Sequence, residues 1–465
     1  MASTYLTKTF SGAPTNPKKG TISLWFKLGG NDDNSNNTYY RVFCTGADSN
    51  NRTDLNITNP HTGGAQINWT PYVGNSGSTN HTQSTVSVLR DFGAYYHLVI
   101  AYDTTQAAFA DRSKMYLNGV LINNPNWVEA NYPTQNLDLF FGNNSSAHHI
   151  GNSPHFSPRF FQGIISHFHY CDGYTYQASD FGSTDATTGE WKINTGPNVQ
   201  YGNNGFFILK DGNSVTDQSG NSNNFTANGN LTKTEDSPSN NFATLNPLIK
   251  SVSSLTFSNG NTTLTTSGSQ WEGAVTTLAP HKGKWYWEAK YNTGSGIKLD
   301  IARMPEDLRN MGTANQSYLA YHGDGYGYQL NNSGTDYYCA NNGCTTWNSS
   351  VNGNSTKIYM VAVDLDNGKM WIGANGTWAN SSGTANPATG ADPRHSFSAK
   401  LNGEPWLFSM SLEGGSGSHN VNFGNGYFGT TAVSSAGTNA SGVGIFEYDV
   451  PAGYTALCTK GLNSF

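Results

Sequence analysis

The chain has 465 residues, a formal net charge of −6, 12% charged residues, 13% aromatic residues and 53 glycines. This length exceeds that of one ordinary β-sandwich and accommodates two with a connector. The charge balance provides no basic surface for nucleic acid, and no apolar run approaches the roughly 20 residues that span a membrane. The aromatic residues argue against a disordered chain, because disordered sequences are poor in them.

Residues 1–193 alternate apolar and polar side chains as half-buried strands do. Residues 21–28 (TISLWFKL) place their aliphatic and phenylalanine side chains on one face. The pair Asn118-Gly119 stands between two apolar runs, which is a strong hairpin signal. Only residues 106–112 favour a helix, and that helix would be short. We therefore predict a first all-β domain over residues 1–193.

Residues 194–250 are rich in Asn, Ser, Gly and Thr but include the apolar patch 205–210 (GFFILK). A flexible linker does not need such a patch, so we predict an ordered connector here. Residues 251–448 resume the strand pattern, as in 284–291 (KWYWEAKY). We predict a second all-β domain there, followed by a C-terminal tail, residues 449–465, that packs back.

These segments resemble known families. Residues 21–28, 96–103, 116–119 and 161–165 are similar to laminin-G-like domains, which are jelly rolls of the concanavalin A type. Residues 283–288, 361–378 and 421–424 look like a SPRY-type sandwich. Residues 180–192, 236–248 and 451–459 are similar to stretches of marine tailed-bacteriophage virion proteins. The resemblance implies an all-β chain of two tandem β-sandwich (jelly-roll) domains and a virion role, both by analogy of fold.

Cysteine and histidine form no convincing metal site in the sequence. The five cysteines cannot all pair within one chain. Cys339 and Cys344 could close a small loop or remain free thiols. His167, His169 and Cys171 would share one strand face, but no second ligand pair has the spacing of a zinc site, so we expect these residues to serve packing.

Calcium is a weaker hypothesis. Laminin-G-like domains often carry calcium in acidic loops, and Asp32, Asp33 and Asp48 lie in such loops. Asp and Asn are also ordinary turn residues, and we favour that interpretation. We therefore expect no cofactor, with calcium kept as an alternative.

The sequence lacks the motifs of common enzymes. A glycosidase needs two carboxylates that converge on the sugar, and the Glu-x-Asp-x-x-Glu run of laminarinase-like families is absent. Glu288 stands alone in its strand, and we expect it to be a solvated or hydrogen-bonded strand residue. No phosphate-binding glycine loop, dinucleotide fingerprint or nucleophile elbow is present. We therefore predict that the chain is not an enzyme.

Aromatic and amide side chains in predicted loops are the remaining binding signal, because sugars stack on aromatic rings while amides bind their hydroxyls. Many of these rings must also build two cores, which is the competing interpretation. The candidate ligand-binding residues are Trp69, Tyr72, Trp127, Tyr321, Asp324, Tyr326, Tyr328, Tyr337, Tyr338 and Trp347.

The combined prediction is a phage virion surface protein, of tail-fibre or head-fibre type, that binds host-surface glycans or other ligands. A purely structural capsid-decoration or tail-knob protein that binds other virion proteins is the alternative, and a polysaccharide-degrading enzyme is the least favoured. No signal peptide is visible at the N-terminus, so we expect assembly in the host cytoplasm and exposure on the particle. We also expect a homo-oligomer.

Overall fold

The computed structural model describes residues 4–30, 39–58, 65–73, 81–86, 89–123, 127–156, 159–210, 214–250, 254–268, 270–303, 324–340, 343–347, 351–379, 383–413 and 417–464, with only the backbone for 127–130. The chain divides into two compact units. The first contains the described residues within Met1–Leu28, Asp33–Lys233 and Ser237–Ser239, and the second those within Gly29–Asp32, Thr234–Asp236 and Asn240–Phe465. Both units are built from β-strands, as the sequence predicts.

The first unit contains sixteen strands among its described residues. They are β1 Tyr5–Lys8, β2 Lys19–Leu28, β3 Tyr39–Asp48, β4 Asn51–Thr58, β5 Ile67–Val73, β6 Gln83–Thr85, β7 Tyr95–Asp103, β8 Ser113–Leu117, β9 Val120–Leu121, β10 Trp127–Ala130, β11 His148–Ile150, β12 Gly163–Asp172, β13 Gly182–Thr184, β14 Trp191–Ile193, β15 Phe206–Ile208 and β16 Thr226–Asn228. Its only described helices are the α-helix α1, Ala178–Phe181, and a 3₁₀ turn, Phe109–Asp111. The predicted helix at 106–112 is therefore reduced to that turn.

Two sheets form the first sandwich. One has the strand order β10-β6-β5-β4-β3-β11-β1-β16, and the other has the order β15-β12-β2-β7-β8-β9. Alternate residues of β2, from Ile22 to Leu28, are fully buried against inward residues of β3 and β5 such as Phe43 and Trp69. The core therefore lies between the two sheets. Each of these side chains stabilises the fold by about 1.5–3 kcal/mol when it leaves water.

The second unit contains eighteen strands among its described residues. They are β17 Leu245–Lys250, β18 Leu255–Ser258, β19 Thr263–Thr266, β20 Glu272–Thr276, β21 Lys284–Thr293, β22 Gly296–Arg303, β23 Gly325–Asn331, β24 Asp336–Ala340, β25 Gly343–Trp347, β26 Ile358–Asp364, β27 Lys369–Ala374, β28 Thr377–Trp378, β29 His395–Ser396, β30 Trp406–Leu412, β31 Ser418–Asn422, β32 Tyr427–Phe428, β33 Thr431–Ala432 and β34 Thr455–Ala456. Its described helices are the 3₁₀ turns Pro387–Thr389 and Ser398–Lys400 and the α-helix α2, Thr459–Leu462.

The second sandwich also has two main sheets. Their strand orders are β17-β20-β30-β22-β23-β24-β25 and β18-β19-β31-β21-β26-β27-β28. The latter sheet has nine strands, because β29 also pairs with β27 and β34 runs parallel to β21. Trp285 and Trp287 of β21 face the core between the sheets. Tyr286 faces outward, where Phe446 and Tyr454 cover it. A second apolar layer therefore lies on the outside of the nine-stranded sheet.

The segment predicted as a connector is divided between the units. Strand β15 pairs with β12 and β16 pairs with β1, so these strands belong to the first unit. Strand β17 pairs with β20 in the second unit. The apolar patch that indicated order, Phe206–Ile208, is an edge strand of the first sandwich.

Candidate functional site

Four of the aromatic residues expected in an exposed site lie in the two cores. Trp69 is fully buried in the first unit, and Tyr326, Tyr328 and Trp347 are buried in the second. The expectation of exposed loops is wrong for these four because their stretches form strands β5, β23 and β25, which turn the rings inward.

Tyr337 and Tyr338 are half-buried neighbours on β24 and pack on different sides of the sheet. The Tyr338 ring packs against the second core, and the guanidinium carbon of Arg394 lies 3.8 Å from its centroid, a cation–π contact. Tyr337 packs beside Cys339 and Trp271. The two tyrosines therefore do not form a common surface.

Three further candidate ligand residues are Asp324, Trp127 and Tyr321, and of these only Asp324 has a described side chain. Asp324 forms ion pairs with Lys400, at 2.7 Å, and with Arg303. The hydrogen bond from Lys400, followed by that from Arg303, lowers the pKa of the Asp324 carboxyl. Trp127 begins strand β10, but its side chain lies outside the described part of the structure, and Tyr321 lies wholly outside it.

The calcium candidate Asp48 is the exposed end of β3. Its carboxylate accepts the backbone N–H of Asn50 at 2.7 Å and the amide N–H of Asn51. These hydrogen bonds lower the pKa of Asp48. Asp32 and Asp33 lie outside the described residues. Among the described residues no group of three or more His, Cys, Asp or Glu side chains could hold a metal ion.

The cysteine and histidine candidates serve packing or cross-linking. Cys339 and Cys344 form a disulfide between β24 and β25. His169 stacks on Phe207 with their ring centroids 3.8 Å apart. A bulge with a positive φ at His167 interrupts the strict alternation of β12 that the sequence pattern assumed.

The outer face of the eight-stranded sheet carries cross-strand rows of polar side chains, which we call the polar face. Residues opposite each other on neighbouring strands project to the same side of a sheet, and the alternate positions Leu55 and Trp69 point into the core. The first row consists of Arg41, Asn56, Asn68 and Ser84, the second of Cys44, Asp54 and Thr70, and the third of Arg52 and Tyr72.

The first row is buried, and its side chains are hydrogen-bonded in two pairs. Arg41 donates through one terminal nitrogen to Asn56, and the Ser84 hydroxyl donates to the Asn68 carbonyl. Two buried donors of this row, Arg41 Nε and Asn68 Nδ2, have no hydrogen-bond partner in the described structure. Buried polar groups almost always have partners, so these two donors are unsatisfied groups beneath the polar face.

Three arginines surround one phenylalanine ring beside this face. The guanidinium carbons of Arg41, Arg52 and Arg159 lie 4.9, 5.0 and 4.7 Å from the centroid of the Phe156 ring. Phe156 itself is half-buried, as are Arg52 and Arg159. We call this group, together with the carboxylate of Asp54, the arginine cluster.

Asp54 is the counterion of the arginine cluster. Its Oδ2 atom accepts from Arg41 and from Arg52, each at 2.6 Å, and the carboxylate is fully buried. Its Oδ1 atom accepts from the Cys44 thiol. Burial, followed by the charge of Asp54, raises the pKa of that thiol well above its ordinary value. The thiol therefore stays protonated and acts as a donor.

Tyrosine rings extend the cluster to both sides. Arg52 lies 4.7 Å from the centroid of the Tyr72 ring, and Arg159 lies 5.6 Å from that of Tyr39. Tyr72 is the one sequence-predicted ligand residue that the structure places on the polar face, half-buried at its third row. The site therefore combines amide, hydroxyl and guanidinium donors with accessible aromatic rings.

Sequence reasoning missed most of this site. The alternation of Asp54 and Asn56 with Leu55 and Ile57 is the signal of a strand with one polar face, and it was available in the sequence. No local sequence pattern predicts that Phe156 and Arg159 contact this face, because they lie in a distant part of the chain.

A buried carboxylate lies on the outer side of the nine-stranded sheet in the second unit. Glu288, on the outer side of β21, accepts the backbone N–H groups of Glu447 and Tyr448, each at 2.9 Å, and the Tyr286 hydroxyl at 2.9 Å. Burial raises the pKa of Glu288 to about 7, although these hydrogen bonds oppose the rise. Glu288 therefore fastens the segment around residue 447 to the sheet and is not solvated.

Comparison with known proteins bears on the first unit. Residues 3–179 match a laminin-G family model described as the concanavalin A-like lectin/glucanases superfamily. This range lies within the predicted first domain, so the laminin-G-like resemblance is confirmed there. A lectin-like fold of this kind is a ligand-binding or adhesion-type domain. No curated protein matches the sequence of the chain.

Solved structures similar to the chain include SPRY domains. The TRIM65 PSpry domain matches 39% of this chain and 91% of its own, at 13% identity and a TM-score of 0.28. The SPRY domain of human HERC1 matches 38% and 96%, at 13% identity and a TM-score of 0.27. Stonustoxin matches 36% and 26%, at 16% identity and a TM-score of 0.26. TM-scores this low do not establish a shared fold, so the SPRY-like nature of the second unit stays a prediction.

The described residues contain no helix whose length and apolar character would allow it to cross a membrane.

Proposed function

We propose that this chain is a non-enzymatic adhesion protein that binds glycans through the polar face of its first unit. The carrying observation is that the half-buried guanidinium groups of Arg52 and Arg159 lie against the half-buried aromatic rings at the polar face. Sugar hydroxyls are recognised by such planar polar groups next to aromatic rings. The half-buried rings of Tyr72 and Phe156 supply the stacking surface.

The polar face is better suited to binding than to hydrolysis. Glycoside hydrolysis requires an acid and a nucleophile or base that face each other across the sugar. In the three rows of the polar face Asp54 is the one carboxylate, and two arginines and a thiol occupy its oxygens. A single carboxylate whose oxygens are occupied in this way does not supply that pair.

We further propose that the protein acts on the surface of a bacteriophage particle, as a tail-fibre or head-fibre component. The stretches similar to phage virion proteins support this context. Its partners would then be other virion proteins and a host-surface glycan, and we expect a homo-oligomer that functions without a cofactor.

A structural decoration protein is the second candidate. Val120 and Leu121 form the edge strand β9 of the six-stranded sheet, and their side chains are 69% and 39% exposed. Apolar side chains exposed at a sheet edge leave apolar surface for another chain to cover. This observation favours a contact with a neighbouring protein, and it is compatible with glycan binding elsewhere on the first unit.

Glycan-array screening of the full chain tests the proposal. We expect binding to a restricted set of glycans and a loss of signal in the Tyr72→Ala variant. Phe109→Ala is the matched control, because Phe109 is an aromatic residue of the first unit that is 63% exposed and lies next to β8 of the other sheet. Its signal should equal that of the wild type.

Three outcomes would overturn parts of this proposal. An array on which the folded chain binds nothing would contradict glycan adhesion. Release of reducing sugar from a bound polysaccharide would contradict the absence of enzymatic activity. Labelled antibody against the chain that fails to bind intact phage particles would contradict the virion location.

A further inference from the structure

The arginine cluster carries more positive charge than its protein partners neutralise. Three guanidinium groups surround Phe156, and Asp54 is the one carboxylate that pairs with them. The excess is two positive charges within the described residues. Burial, followed by repulsion from Arg41, lowers the pKa of Arg159, and Asp54 is the one carboxylate that opposes this.

The guanidinium group of Arg159 has fewer hydrogen-bond acceptors among the described residues than those of Arg41 and Arg52. Arg41 donates to Asp54 and Asn56, and Arg52 donates to Asp54 and to the Ser49 carbonyl. Among the described residues no hydrogen-bond or ion-pair acceptor contacts the guanidinium group of Arg159, which is half-buried between the rings of Tyr39 and Phe156. A planar fork of donors held by aromatic rings is suited to bidentate binding of an oxyanion.

We infer that the arginine cluster binds an anionic group, a carboxylate or a sulfate ester, of an acidic polysaccharide. This inference rests on the proposed glycan-binding function and names the class of ligand for the same face. The saccharide ring would stack near Phe156 and Tyr72, and its anionic group would reach Arg159.

Electrostatics favour this assignment over a neutral ligand. A partly buried arginine without a counterion is unfavourable in the free protein, and an anionic group removes that penalty when it binds. Hydrogen bonds between charged groups are among the stronger ones in proteins, so loss of the Arg159 fork is expected to weaken binding about tenfold or more. Added salt is expected to weaken binding as well.

Affinity electrophoresis of the full chain tests the inference with three soluble polymers: polygalacturonate, a sulfated galactan and a neutral galactan. We expect at least one anionic polymer to retard the wild type more strongly than the neutral polymer does. The two anionic polymers distinguish a carboxylate site from a sulfate site. Arg159→Gln is expected to reduce that retardation about tenfold or more, and Arg159→Lys to an intermediate degree, since lysine keeps the charge without the fork.

The control variant is Arg90→Gln, because Arg90 is an exposed arginine of the same unit that contacts none of the rings of the cluster. It should be retarded like the wild type. Equal retardation of wild type and Arg159→Gln by the anionic polymers would overturn the inference. Binding to neutral glycans alone would overturn it while leaving the proposed function intact, whereas binding to no glycan would overturn both. Near-ultraviolet circular dichroism shows whether each variant is folded.

Discussion

Replacement of Glu288 by glutamine tests the structure of the second unit through a pH dependence. The Glu288 side chain is buried, and its pKa is raised to about 7 from an ordinary value of 4.5. The folded state therefore holds a proton that the unfolded state releases when the pH lies between those two values. The stability that this proton contributes is complete below pH 4.5 and is lost as the pH rises through about 7.

The magnitude follows from the shift in pKa. One pKa unit corresponds to about 1.4 kcal/mol, so a rise from 4.5 to about 7 amounts to about 3 kcal/mol of unfolding free energy. Glutamine has nearly the same shape and does not titrate. The wild type should therefore lose about 3 kcal/mol relative to Glu288→Gln between pH 4 and pH 8.

Urea unfolding at a series of pH values measures this difference. Tryptophan fluorescence follows the unfolding of both units, because Trp285 and Trp287 lie on the same strand as Glu288 and Trp69 lies in the first core, so the comparison with Glu288→Gln isolates the effect of the carboxylate. Glu404→Gln is the control: Glu404 is an exposed partner of Arg303, and surface ion pairs contribute at most about 1 kcal/mol. A difference between wild type and Glu288→Gln that is constant with pH, or that grows in the wild type's favour as the pH rises, would refute the reasoning.

Three further predictions follow from the first unit. Trp69→Ala should lower the unfolding free energy by about 3–5 kcal/mol, because Trp69 is a core residue. Chemical denaturation measures this loss, and a loss below about 1 kcal/mol would show that the ring is not packed. Gly119→Val should cost about 1–3 kcal/mol in the same assay, since Gly119 has a φ of 81° at the tip of the hairpin, and an unchanged midpoint would argue against this turn. EDTA should leave glycan binding by the full chain unchanged, and a loss that calcium restores would implicate Asp48.

The pattern of apolar residues was sufficient to predict the strands that build the cores. Residues 21–28 and 284–291 alternate strictly, and the structure turns their predicted faces inward in strands β2 and β21. The hairpin at Asn118-Gly119 is confirmed, with both residues at positive φ. These features depend on local preferences, namely period-two burial and left-handed turn residues, and such preferences are visible in a sequence.

Three features could not be predicted because they depend on contacts between distant parts of the chain. We expected a loop around Trp69, yet cross-strand pairing with β4 makes this stretch a strand. Glu288 was expected to be a solvated or hydrogen-bonded strand residue, and it is hydrogen-bonded but buried, because the segment around residue 447 lies over it. The arginine cluster joins strands β3 and β4 to Arg159, more than 100 residues later.

The most direct test of glycan binding by the polar face is to locate the bound saccharide on the chain. A glycan that the full chain binds would be fitted with a photoactivated cross-linking group, and the labelled peptides would be mapped by mass spectrometry. We predict labels on strands β3, β4 and β5 and around Phe156, and fewer labels in the Arg159→Gln variant if the saccharide is acidic. Labels confined to the second unit, or to the exposed edge strand β9, would contradict the account.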